Sequence, residues 1–161
     1  MIDSSRAPIR IHLLCPDAMP RKNAPAMPKE TLELLSEFRY RLRQFLRFSE
    51  EFAREEGLTV LQYQVLLHLG GFRERDWATI SELAERLQSQ PHGVVALVTR
   101  CEDLGLVRRV NSVTDRRQVE VHMTARGRAY LDRLAARHWE MLPALAQALH
   151  ILGDDLGSRR G

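Results

Sequence analysis

Six arginines crowd into residues 106–128 (Arg108, Arg109, Arg116, Arg117, Arg126 and Arg128) against two acids, Asp115 and Glu120, for a local charge of +4. A guanidinium is a planar fork that matches phosphate oxygens in pairs. Such a stretch has the chemistry of a polyanion contact, in which each neutralised phosphate releases counterions. The whole chain of 161 residues carries only +3, so the rest of it nearly cancels or turns slightly acidic. The plain alternative is a solvated hairpin with scattered arginines. Charge alone does not choose between the two.

Other chemistries find less to work with. Two cysteines, Cys15 and Cys101, cannot build a disulfide scaffold or a tetrathiolate zinc site. His12-x-x-Cys15 is the one close pair of ligand-type residues, and His68, His92, His122, His138 and His150 are scattered over separate segments. No metal and no other cofactor is expected. The chain has no G-x-G-x-x-G, Walker loop, H-E-x-x-H or G-x-S-x-G, and nothing in it asks for an enzyme. No run approaches the roughly 18 apolar residues of a membrane span. The brief apolar run that ends at Cys15 is interrupted by Arg10 and His12, unlike a secretory core, so a cytoplasmic protein is expected. With 44% hydrophobic and 28% charged residues the chain reads as one globular domain.

The elements that must position the arginines follow from periodicity. Five prolines within residues 1–28 deny the backbone its donors, so that stretch is expected to be a mobile arm. Leu35, Phe38, Leu42, Phe45, Phe48 and Phe52 recur at steps of three and four, which predicts a long helix that Gly57 stops. Thr59 with Gln62, and Thr79 with Glu82, form capping boxes that open two short helices. Between them, Phe72 to Trp77 reads as a charged loop. Ser89 is the expected cap of a third short helix, buried through Val94, Leu97 or Val98, Cys101 and Leu104 and ended by Gly105. Residues 106–110 and the alternating run of Val119, Val121 and Met123 predict a hairpin. Thr124 opens a final long helix with a seam through Leu131, Leu134, His138, Met141, Leu145, Leu149 and Leu152, which Pro143 should kink or split.

That order of elements is a winged helix-turn-helix between two long helices. Thr79-Ile80-Ser81-Glu82-Leu83-Ala84-Glu85-Arg86-Leu87, then Arg100-Cys101-Glu102-Asp103-Leu104-Gly105-Leu106-Val107-Arg108-Arg109, then Asp115-Arg116-Arg117 with Met123-Thr124 and Gly127, resembles the MarR family of bacterial transcriptional regulators. The resemblance covers about residues 30–152. It implies a mainly α fold with a small two- or three-stranded antiparallel wing and long N- and C-terminal dimerisation helices. The expected divisions are an arm over 1–28, a dimerisation helix over 29–57, the winged module over 58–123, C-terminal helices over 124–152 and a frayed tail over 153–161. Cys101 and Met123 stand where the family usually has Leu, and Pro91-His92-Gly93 is an unusual start to a recognition helix.

The resemblance assigns Arg117 to the wing tip, where an arginine senses a narrow minor groove. Asp115 is placed to hold its guanidinium, with Arg116 beside it. Ser89, Gln90 and His92 fall in the first turn of the recognition helix; Gln can read adenine, and Ala96 can touch a thymine methyl. Arg86 and Arg100 are expected on phosphates, with Arg73 and Arg75 as weaker candidates that are equally at home in surface ion pairs. The terminal seams are wider than one winged module can cover, and the resemblance implies a homodimer, hence a roughly palindromic operator on double-stranded DNA.

The family's usual control by a small organic effector between dimerisation helices and winged module makes Tyr40, Phe45, Tyr63, His68 and Trp77 candidates. Arg39, Arg43 or Arg47 would be the anion partner. Aromatics at helical spacing are also ordinary core. The expected function is a homodimeric DNA-binding repressor with ligand-modulated affinity. The alternatives are a winged-helix protein-interaction module, favoured by an apolar patch on the recognition face, and a redox regulator using Cys15.

Overall fold

The computed structural model describes residues 26–112 and 118–158, with side chains as far as residue 147. Most of the expected arm, including Cys15, and the segment holding Asp115, Arg116 and Arg117 lie outside the described residues. The chain runs α1 (Lys29–Glu55), α2 (Val60–Gly70), β1 (Trp77–Thr79), α3 (Ile80–Arg86), α4 (Pro91–Asp103), β2 (Val107–Asn111), β3 (Val119–Met123) and α5 (Ala125–Ser158). This is the mainly α fold with a small antiparallel wing that the sequence implies.

Local signals set most boundaries. The α2 and α3 capping boxes are formed in full: Thr59 Oγ1 accepts from the Gln62 amide at 3.3 Å, and Glu82 Oε2 accepts from the Thr79 amide at 2.8 Å. Gly57 and Gly105 end α1 and α4 with φ of +75° and +69°, a region costly for any other residue. Thr124 caps α5 by accepting from the Gly127 amide at 3.0 Å. Its hydroxyl also donates toward the Gly105 and Leu106 carbonyls, so the wing base and the start of α5 are knotted together.

Four expectations are corrected. Trp77, expected to end the charged loop, instead opens a three-residue strand, in which the Ala78 side chain is fully buried and the backbone pairs with β3. The sheet order is β1-β3-β2, with Ala78 opposite Val121 and Arg109 opposite Val121 on the other side. Ser89 does not cap α4; Gln90 does, without a side-chain bond, since Pro91 is suited to the first helical position and pushes the cap back one residue. The Ser89 amide instead donates to the Ala84 carbonyl at 2.9 Å, inside the turn between α3 and α4. Leu104, expected on the buried face of α4, is 40% exposed at its end.

The fourth correction is that α5 is neither split at Pro143 nor ended near residue 152, but runs to Ser158. The proline removes one amide, whose partner would be the carbonyl of Trp139. That residue is 74% exposed, so water can serve the carbonyl. Leu131, Leu134 and His138 of the α5 seam are buried, whereas Leu35 and Phe48 of the α1 stripe are open to solvent in the single chain. The core joins Tyr63, Leu66 and Leu69 of α2 to Leu83, Val94, Val98 and Cys101 of the winged module and to Leu134 of α5.

Candidate nucleic-acid interface

The turn between α3 and α4 sets the presented surface. Val94, Leu97, Val98 and Cys101 anchor one face of α4 in the core. The opposite face leaves His92, Ala96 and Arg100 exposed, with Ser89 and Gln90 exposed just ahead of the helix and Arg86 exposed at the end of α3. Six of the nine residues expected to contact DNA are thereby exposed on α4, the turn before it and the end of α3. The other three, Asp115, Arg116 and Arg117, lie outside the described residues.

Arg109 ties wing to helix. Its backbone amide donates to Glu102 Oε1 at 2.7 Å, and its Nη2 donates to the Val95 carbonyl at 3.0 Å and to Thr99 Oγ1 at 2.8 Å. Its Nη1 is ion-paired with the other Glu102 oxygen. Strand β2 is thus fastened at four points to α4. Arg128 likewise meets Asp76 at 2.6 Å. Both acids lie outside residues 106–128, so two of the six clustered arginines are matched by neighbours that chain order hides. Arg108 of β2 is exposed.

Arg75 is the surface ion pair allowed for it, not a free phosphate ligand. It is paired with Glu82 and sandwiched between the rings of Phe72 and Trp77, its Cζ 4.5 and 4.3 Å from their centroids. Arg86 covers the Phe72 ring at 4.8 Å. Burial first, and then the Arg86 guanidinium, push the His68 imidazole below its ordinary value.

Three carboxylates titrate low for local reasons. The Arg109 backbone amide is the largest cause at Glu102, and His122 and then Ser112 act on Glu120. At Glu82 burial pushes upward, but Arg75 and Thr79 together outweigh it. Because their folded values lie below their unfolded ones, the stability these groups contribute is complete above the ordinary carboxylate range. It is lost as pH falls through the lowered values. The urea midpoint is therefore expected to decline gently below about pH 6.5, where the unfolded His68 takes up a proton that the folded ring resists, and to drop further below about pH 4 as the carboxylates protonate. Glu102→Gln should remove part of that drop; an acid limb unchanged in this variant would contradict the assignment.

The effector candidates do not converge on one cavity. Phe45 and Tyr63 meet around His138 of α5, with ring centroids 6.0 and 4.7 Å from the imidazole. Tyr63 is fully buried there, as ordinary core. Tyr40 and Arg43 are exposed on α1, where Gln44 Nε2 donates to the Tyr40 hydroxyl at 3.0 Å. His68 sits further along α2, and Trp77 stacks on His122 at the sheet, 5.8 Å away. A groove of about 620 Å³ runs along α1 instead, lined by Arg39, Leu42, Arg43, Leu46, Arg47, Glu50 and others.

Sequence reasoning missed the hub at His138 and the Arg109 strut. His138 Nε2 lies 2.8 Å from Ser49 Oγ, and Nδ1 lies 2.7 Å from the Leu134 carbonyl. Since a carbonyl only accepts, Nδ1 carries a proton. A histidine on core spacing four residues after Leu134 is a signal that a buried polar partner exists, though not which one. Cys101 is buried, and burial pushes its thiol to about 11, so it is held protonated. Among the described residues no cluster of metal-ligating side chains occurs, and no helix is long and apolar enough to cross a membrane.

Comparison with known proteins follows this geometry. A family model described as MarR family matches residues 56–118. The HTH-type transcriptional repressor MdtR of Bacillus subtilis is 28% identical over 86 residues, 53% of this chain and 54% of the relative. The chain therefore spans about half the length of that curated relative. The structure of AbsC, a MarR family transcriptional regulator from Streptomyces coelicolor, superposes with a TM-score of 0.65 at 22% identity, covering 84% of this chain and 99% of the other. That of Sco3205 from the same organism, in complex with DNA, gives 0.66 at 18% identity, covering 87% and 91%. Likenesses at this identity speak for the fold. Residues 56–118 are thus similar to the MarR family model, and the described fold is the winged helix-turn-helix of the superposed structures.

Proposed function

We propose that the chain is a homodimeric DNA-binding transcriptional regulator, a repressor whose operator affinity is lowered by a small organic effector. The observation that carries the reading is the union of α4 with β2 through Arg109, which sets the exposed Arg108 of β2 beside a helix that also exposes Arg100. The related MdtR is a repressor, and Sco3205 was solved on DNA, which supports the same use here. A dimer would cover the apolar residues that the single chain leaves open on α1 and α5, among them Leu32, Leu35, Leu46, Phe48, Trp139 and Leu142. A two-fold dimer presents two recognition helices and so fits a pseudo-palindromic site.

The effector reading rests on the α1 groove, where Arg39 and Arg43 beside Leu42 suit an organic anion. An anion binding best to a dimer whose two α4 helices are wrongly spaced for DNA would lower affinity by that difference. The protein-interaction alternative gains little: Val95 and Leu104 are the large apolar residues exposed on or at the end of α4, well short of a docking patch. In a mobility-shift experiment on DNA upstream of its own coding region, the chain is expected to give a discrete complex displaced by specific but not random duplex. Light scattering should give the mass of two chains. A monomer at micromolar concentration would contradict the dimer, and no complex with any duplex would contradict the DNA reading.

A further inference from the structure

We propose that α4 reads thymine 5-methyl groups rather than a hydrogen-bond pattern over its second and third turns, through Val95, Ala96 and Thr99. This rests on the DNA-binding reading above. Val95, Ala96 and Thr99 are exposed, Ala96 on the face it shares with His92 and Arg100, and Val95 and Thr99 beside it where Arg109 of β2 bonds the helix. Thr99 looks polar in the sequence, but its hydroxyl is engaged twice within the protein. It donates to the Val95 carbonyl at 3.0 Å and accepts from Arg109 Nη2 at 2.8 Å. Its methyl is the group left for a ligand. Val95 is 46% exposed and Ala96 offers a methyl alone.

Glu102, one turn further on, is held by Arg109 and is equally withdrawn. Gly93 adds no side chain, and a β-carbon there would meet only Ser89 Oγ at 3.7 Å, so the helix surface is low and open at this point. Polar reading is confined to Ser89, Gln90 and His92 at the helix start, with Arg100 flanking. The major groove displays one apolar group, the thymine methyl, and Ala and Thr methyls are its usual contacts. The surrounding arginines match the phosphates on either side of such a groove, a charge pattern that fits DNA better than an apolar protein partner.

The test uses duplexes selected by the full-length chain from a random pool, then resynthesised with deoxyuridine in place of thymidine, which removes the methyl and keeps the pairing. Each contacted methyl lost should weaken binding about fourfold, the cost of one buried methyl-sized group. Thr99→Ser keeps the hydroxyl bonds and removes the methyl. Combined with Val95→Ala, it should reduce the discrimination between thymidine and deoxyuridine duplexes to the single methyl that Ala96 still contacts, about fourfold. Parent protein that binds both duplexes equally would overturn the inference while leaving the DNA reading intact. A double variant that still discriminates as the parent does would overturn the assignment to these residues. No enrichment of any duplex would overturn the DNA reading itself and leave this face to another class of partner.

Discussion

Gly127→Ala is expected to destabilise the fold by about 3 kcal/mol, at the upper end of what overpacking costs. On helix propensity alone the change should stabilise, since alanine is better than glycine inside a helix by up to about 1 kcal/mol. The contact decides the sign. A β-carbon on Gly127 would overlap the Leu106 carbonyl oxygen and lie 3.1 Å from Leu66 Cδ2. The carbonyl cannot yield cheaply, because it accepts from the Thr124 amide at 3.1 Å and from the Thr124 hydroxyl at 3.0 Å. The start of α5 would have to lift off the wing base and break the Thr124 knot.

Urea unfolding checks this: the midpoint should fall with an unchanged slope, and thermal unfolding should drop by roughly 6–12 °C for a domain of this size. Gly93→Ala is the control. Its β-carbon meets only Ser89 Oγ at 3.7 Å, so it should be neutral or slightly stabilising. Equal stability of Gly127→Ala and the parent would contradict the close packing of α5 on the wing.

The second large effect is expected at His138. This residue joins three helices: its own α5, α1 through Ser49, Phe45 and Phe52, and α2 through Tyr63, which stacks on it at 4.7 Å and 21°. With Nδ1 donating to Leu134, Nε2 is left to bond the Ser49 hydroxyl. His138→Leu leaves that hydroxyl buried without its partner and removes the ring stack, at a cost of about 2–3 kcal/mol. Ser49→Ala alone should cost about 1 kcal/mol for the same lost bond. In the double variant both polar groups are gone, so its loss should be smaller than the sum by about 1 kcal/mol. Additive losses in urea unfolding would mean that the two side chains do not act as a pair.

How much of this was legible in the sequence depends on the range of the interaction. Thr59, Thr79 and Thr124 bond within three residues of themselves, and their caps read directly from the chain. Gly127 was visible as a motif position, but its reason lies in a carbonyl some twenty residues earlier. Arg109 looked like one more phosphate ligand, since Glu102 belongs to a different element and only the Gly105 turn brings the two together. Strand β1 has three residues, too few for any alternation to show. At α4 the serine was a stronger cap by type than Gln90, yet the proline decided the register. On α4, His92, Ala96 and Arg100 are exposed opposite the buried Val94, Leu97, Val98 and Cys101, because apolar spacing fixes which face is buried. The effector candidates did not gather, since an aromatic on helical spacing carries no mark separating core from pocket.

The most direct measurement of the central claim is the salt dependence of binding. Fluorescence anisotropy with a duplex bound by the parent protein, between about 50 and 200 mM salt, should give log affinity falling linearly with log salt at about 0.9 per phosphate contacted. Arg100→Ala should reduce that slope by about one for each Arg100 in the complex, and weaken all sequences alike. Affinity that does not change with salt, or a slope identical in parent and variant, would contradict a DNA interface built around α4.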